Sequence, residues 1–129
     1  MELLILANGS TWDSRYQISA LAASAAVSGD RVKIALLNAS LAVWVRGEWD
    51  RLDPAPPFEV SRIEELGFPS LTSILDQALA TGNVTIYGCS AAARFLGLEL
   101  AEVQERVDAL IGWQSFSRMI ARADRVVSL

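Results

Sequence analysis

Short apolar runs that end in small or polar turns, each followed by a helix-period pattern, limit what this chain can become. Leu3 to Ala7 is continuously apolar and stops at Asn8-Gly9-Ser10-Thr11, which is the length and punctuation of a strand buried on both faces. Val32 to Leu37 repeats the pattern and stops at Asn38-Ala39-Ser40. Val84 to Tyr87 repeats it again before Gly88-Cys89-Ser90, Asp124 to Leu129 supplies a closing strand, and Val107 to Ile111 is a weaker fifth. Strands that alternate with helices imply a parallel sheet covered on both sides, with ligands gathering beyond the carboxyl ends of the strands.

The intervening segments carry the helical signals. From Trp12 to Val27, Ile18, Leu21, Ala22 and Ala25 fall at i, i+3, i+4 and i+7, with Gly29 placed as a left-handed cap. Pro69-Ser70 opens the clearest helix, striped by Leu71, Ile74, Leu75, Ala78 and Leu79 and ended by Gly82. Ala91 to Leu96 reads as a helix finishing at Gly97, Leu98 to Arg106 as another, and Phe116, Met119, Ile120 and Ala123 as a last stripe. A short helix is expected through Leu41 to Val45. Asp53-Pro54-Ala55-Pro56-Pro57 can sustain neither a helix interior nor a central strand and forms the long loop. Trp44, Trp49, Phe58 and Phe68 bracket that loop, which suits either a subunit contact or a loop folded back over its own sheet.

A chain of 129 residues is sized for one domain spanning 1–129, and 52% hydrophobic with 20% charged residues is the balance of a globular core. No apolar run is long enough for a membrane span, and a net charge of -4 without clustered Arg or Lys argues against nucleic acid as a partner. Met1 to Ala7 has a negative residue where a signal peptide needs a positive one, so we expect a strand there and a cytoplasmic protein. The chain has no histidine and one cysteine, which removes an intramolecular disulfide, Cys-His or Ser-His-Asp machinery, and zinc sites built from this chain alone. No metal or cofactor is expected.

Cys89 is the remaining chemical candidate. At the start of a helix a thiolate gains from unpaired backbone N–H groups and the partial positive charge of the dipole. On this reading Gly88 turns the backbone and leaves space over the sulfur, while Ser90 and Arg94 supply a hydroxyl and a cation. The competing reading is a free cysteine that fills space. Asn8-Gly9-Ser10-Thr11 is better read as a strand-to-helix turn than as an anion cradle, since it matches neither the P-loop nor the dinucleotide fingerprint. Asp13, Glu48, Asp50, Asp53, Glu64 and Glu65 fit no metal-ligand spacing and are expected on the surface.

The segment Val84-Thr85-Ile86-Tyr87-Gly88-Cys89-Ser90-Ala91-Ala92-Ala93-Arg94-Phe95-Leu96-Gly97 resembles the strand, cysteine, alanine-rich helix and glycine of the DsrE/DsrF-like proteins, which include subunits of the bacterial sulfur relay (DsrE/DsrF/DsrH, TusD-like). Leu3 to Ser10, Val32 to Leu37, Ile111-Gly112-Trp113 and Ala123 to Leu129 fall in the same order. The resemblance implies a three-layer α/β/α fold of flavodoxin or Rossmann-like kind with a mainly parallel sheet of about five strands. It implies that Cys89 accepts sulfur as a persulfide and passes it on; the loops Asn8-Gly9-Ser10-Thr11 and Asn38-Ala39-Ser40, on the same carboxyl edge of the sheet, are expected to shape its pocket. It also implies a homo-oligomer, trimer or hexamer, or a hetero-oligomer with related subunits, together with sulfur donor and acceptor proteins. Phe95-Leu96 stands where relay subunits often carry basic residues, a departure that bears on partner identity. The alternative is a non-catalytic oligomeric binding or scaffold protein with an inert cysteine.

Overall fold

The computed structural model describes residues 1–129. In chain order the elements are β1 (Glu2–Ala7), α1 (Trp12–Val27), β2 (Arg31–Leu36), α2 (Asn38–Val45), α3 (Val60–Glu65), α4 (Leu71–Ala80), β3 (Val84–Cys89), α5 (Ser90–Phe95), α6 (Leu100–Arg106), β4 (Ala109–Ile111), α7 (Trp113–Arg122) and β5 (Arg125–Ser128). The helix starts follow from side-chain caps: Thr11 accepts the Ser14 N–H at the head of α1, and Ser70 accepts the Ser73 N–H at the head of α4. α2 begins three residues before the expected Leu41. α3 lacks any buried residue, which is why no apolar stripe announces it in the sequence.

All five strands are parallel, in the order β4-β3-β2-β1-β5. The register puts Leu3, Ile5, Ala7, Val32, Ile34, Leu36, Ile86 and Gly88 on one face, and Leu4, Leu6, Lys33, Ala35, Thr85, Tyr87 and Cys89 on the other. The first face carries a thick helical layer. α1 packs against α4, and α2 packs against α5 and α6. A Cβ added to Gly88 would lie 3.4 Å from Leu41 of α2 and from Val107 just after α6, which fixes those elements on Gly88's face.

The second face is covered by α7. The steps from β1 through β4 all travel one way across the sheet, so right-handed crossovers keep their helices on one side, and the long return from β4 to β5 lands on the other. Leu4 and Ala35 are fully buried on that face, and Phe116 of α7 is buried with them in the same core. One ten-residue helix cannot cover five strands. Where the cover ends, the face turns polar: Lys33 pairs with Glu2 at 2.8 Å, beside Thr85, in a cleft at the amino ends of the strands.

The proline loop folds back over its own molecule. Trp49 is buried and donates to Ser19 Oγ of α1 at 2.9 Å, while Trp12 of α1 meets Phe58 edge-on at 4.7 Å and Tyr16 lies 5.7 Å from Phe68. The aromatic residues around the loop therefore serve intramolecular packing.

Arg15 fastens this loop. Its side chain has no exposed surface, and its guanidinium donates to Ser10 O (3.1 Å), Glu48 O (3.3 Å), Trp49 O and Arg51 O (both 2.5 Å) and approaches Asp53 Oδ1 at 3.4 Å. Burial lowers its pKa, with Asp53 acting against that shift. Asp53 also accepts the Trp12 N–H at 3.0 Å, so one carboxylate caps α1 and neutralises the arginine. Truncating Arg15 strands four carbonyls and a carboxylate without their donor. We expect Arg15→Ala to cost about 3–5 kcal/mol in urea unfolding, on the scale of breaking a buried ion pair, with the change followed by tryptophan fluorescence; a loss below about 1 kcal/mol, the size of a surface pair, would refute this account.

Candidate functional site

Cys89 is the last residue of β3 and the N-cap of α5, as its strand-to-helix setting in the sequence predicts. Its sulfur accepts the Ala92 N–H at 3.5 Å. It is also 2% exposed, and none of the five principal cavities is lined by it. The neighbouring residues are more open. Ser90 and Arg94 line a cleft of about 360 Å³ with Ala91, Leu100 and Leu110.

Topology singles out this corner. After β3 the chain turns to the first face of the sheet through α5, and after the adjacent β4 it turns to the second face through α7. Neighbouring strands whose following segments diverge to opposite faces leave a crevice between them, where α/β sheets place ligands. Cys89 pairs in register with Ile111, and a Cβ added to Gly112 would lie 3.7 Å from Ser90 Oγ, so the two diverging loops adjoin at the cysteine.

Gly88 works differently from its sequence reading. Its backbone is not left-handed, and it points to the face opposite the sulfur. An added Cβ would come within 3.3 Å of Leu110 and 3.4 Å of Leu41 and Val107, so this glycine sits under the close approach of β4 and the helical layer, on the side of the strand away from the sulfur.

Asn8, Gly9, Asn38 and Ser40 meet at the carboxyl ends of β1 and β2, on the same edge of the sheet. Asn38 Nδ2 donates to Asn8 Oδ1 at 3.0 Å, Asn8 Nδ2 donates to Ser128 Oγ at 3.2 Å, and Ser40 Oγ donates to Gly9 O. Asn38 holds a left-handed backbone with φ 49°, which asparagine tolerates better than most residues. These side chains bond to one another, and none of the five principal cavities is lined by both them and Cys89. Ser10 is drawn instead into the Arg15 network through its carbonyl.

Four backbone donors of the first loop and the start of α1 are taken up within the chain. Asn8 N–H and Gly9 N–H both bond to Leu129 O, at 2.7 and 3.3 Å, Trp12 N–H bonds to Asp53, and Ser14 N–H bonds to Thr11 Oγ1. The segment runs from β1 directly into α1 as a strand-to-helix turn. The acidic residues of the proline region serve likewise: Asp50 accepts from the Thr72 N–H and hydroxyl at the head of α4, and Glu48 pairs with Arg51.

No protein family's sequence pattern matches the chain, and no curated protein matches it. Among solved structures the chain is similar to a conserved protein of unknown function from Bacteroides thetaiotaomicron, with 13% identity and a TM-score of 0.67 over 99% of this chain and 94% of that one. At that identity the likeness establishes the fold alone.

The sequence reading missed Arg15, the residue that orders the loop nearest the carboxyl edge. One arginine on a helix carries no signal of burial; the helical phase alone, which sets Arg15 three residues before the buried Ile18 and four before Ser19, marks it as inward-facing. Gly9 also proves to be fixed by packing, since an added Cβ would sit 2.7 Å from Ser14 Cβ. We expect Gly9→Ala to destabilise the fold by about 1–3 kcal/mol, the range for overpacking, as a lowered urea midpoint; an unchanged midpoint would show that Ser14 can swing away freely.

Proposed function

We propose that this chain handles sulfur, with Cys89 as a carrier thiol. The observation that supports it is the place of the sulfur: at the carboxyl end of β3, beside the crevice where the loops after β3 and β4 diverge, and in contact with the Ala92 N–H. The resemblance of the Val84–Gly97 segment to DsrE/DsrF-like proteins supports the same reading.

In this scheme the Cys89 thiolate attacks the outer sulfur of a donor persulfide. The S–S bond of the donor breaks, the donor leaves as a thiolate, and Cys89 carries the sulfur as a persulfide. An acceptor thiolate then attacks that outer sulfur, and Cys89 departs as a thiolate. No net oxidant is consumed and one cysteine suffices. Because the thiol is 2% exposed, transfer requires the loops around Gly112 and Ser90 to part, which a donor or acceptor protein docked on the adjacent cleft would favour. The reading places the protein in the cytoplasm, where thiols stay reduced, and in an oligomer, as a trimer, hexamer or assembly with related subunits. The chain itself contains no helix long and apolar enough to cross a membrane.

The same burial favours a second reading, a binding or scaffold protein in which Cys89 is an inert packing residue. Incubation with a persulfide donor followed by intact-mass measurement separates them. The carrier reading expects a gain of one sulfur atom that is lost on adding a thiol and absent in Cys89→Ser. Alkylation of the native protein is expected to proceed without unfolding, at a rate set by the parting of these loops. A thiol that takes up no sulfur and alkylates only after unfolding would leave the scaffold reading in possession.

A further inference from the structure

The proline loop packs back on α1 without filling all the space beneath it. A cleft of about 250 Å³ remains between α1, the loop, α3 and the head of α4, and three of its walls are aromatic: Trp12, Phe58 and Phe68. The Trp12 and Phe58 rings stand 4.7 Å apart at 64°, and the Trp12 and Phe68 rings 6.4 Å apart at 51°, so the rings are inclined to one another as the sides of a corner and are not stacked flat. All three are only partly covered. Leu52 and Val60, 39% and 40% exposed, complete an apolar rim.

Two carboxylates, Asp50 and Glu64, line the same cleft, and no basic side chain does. Neither takes part in an ion pair within the chain. The heads of α1 and α4 border the cleft, and each is answered by its own carboxylate: Asp53 accepts the Trp12 N–H and Asp50 the Thr72 N–H, which leaves the Glu64 charge unmatched. The surrounding chain is acidic too, since residues 50–65 hold Asp50, Asp53, Glu59, Glu64 and Glu65 against Arg51 and Arg62. Arg51 is paired with Glu48, and Arg62 falls on the side of α3 opposite Val60, Ile63 and Glu64 at about 3.6 residues per turn. Arg15, behind the loop, is matched by Asp53.

We propose that this cleft binds a small quaternary ammonium cation. A cation is drawn to the negative face of an aromatic ring when it lies within about 6 Å of the ring centre, and rings this close together bring one bound charge within reach of more than one of them. No group of three acidic side chains is placed to hold a metal ion, so the cation is organic. A methylated nitrogen suits the site further, because its methyl groups pack on the apolar walls and it has no N–H that needs an acceptor. Asp50 and Glu64 add attraction across the cleft and repel any anion. The volume lies below the roughly 300–1,000 Å³ of pockets for drug-sized ligands, which fits a single head group. Cys89 does not line the cleft and takes no part in this site.

The test titrates the full chain calorimetrically with choline, with its neutral tert-butyl isostere, in which carbon replaces the charged nitrogen, and with glycine betaine, which brings a carboxylate of its own. Choline is expected to bind, the neutral isostere at least about tenfold more weakly because it gains no cation–π attraction, and betaine more weakly than choline. Phe58→Leu removes a ring but keeps an apolar wall, and is expected to weaken choline by about threefold to thirtyfold, the span of one cation–π contact. Glu64→Gln is expected to weaken choline and to flatten its dependence on salt. Because Glu64 is exposed, an unchanged circular dichroism melt verifies that variant's fold, and its result stands even if Phe58→Leu loosens the loop. Cys89→Ser is expected to bind choline as wild type does, which separates failure of this inference from failure of the carrier reading. No heat with choline at tens of millimolar, an isostere that binds as tightly as choline, or a folded Glu64→Gln with wild-type affinity and salt dependence would overturn the proposal.

Discussion

A guanidinium with no exposed surface is tolerated only where every donor finds an acceptor, and Arg15 meets that condition by drawing carbonyls from two separate stretches of chain. Ser10 belongs to the loop after β1, and Glu48, Trp49 and Arg51 to the segment after α2. The Ser19 hydroxyl extends the network, donating to Arg15 O at 2.7 Å and accepting from Trp49. The loop that prolines keep out of regular structure is thereby held against α1 by polar contacts at its start and by Phe58 and Phe68 at its end. With that loop in place, the carboxyl edge of β1 and β2 is closed by the chain's own groups, and the open part of the edge lies at β3 and β4.

The division of the edge has a chemical consequence. After β1 the Asn8 and Gly9 amides bond to Leu129 O and the Trp12 amide to Asp53, whereas the sulfur at the end of β3 receives a single amide and adjoins a crevice created by strand order. The thiol is therefore placed by topology but shielded by packing. A protein built this way reacts with partners that move its loops and resists small oxidants, which suits a carrier and equally suits a cysteine retained for packing. The rate at which the native thiol reacts decides between them.

The thin layer matters as much as the thick one. Because a single helix returns across the second face, the sheet is apolar beneath α7 and polar at the amino ends of β1 to β3, where Glu2 and Lys33 pair. The same return leaves α7's outer side, with Arg118 and Arg122, facing away from the acidic α6 on the other layer.

The sequence by itself determined the alternation of strands and helices, the parallel sheet, the caps at Gly29, Gly82 and Gly97, and the position of Cys89 at a strand-to-helix junction. These are local properties, set by apolar periodicity and by residues that favour or forbid particular backbone angles. Tertiary structure alone decided that Arg15 is buried, that Gly88 and Gly9 are packing residues, that Asn8 and Asn38 bond to each other, and that Cys89 is covered. Each of those depends on which strands become neighbours and on which face each helix lands, and strand order arises from contacts between residues far apart in the chain, which periodicity does not encode.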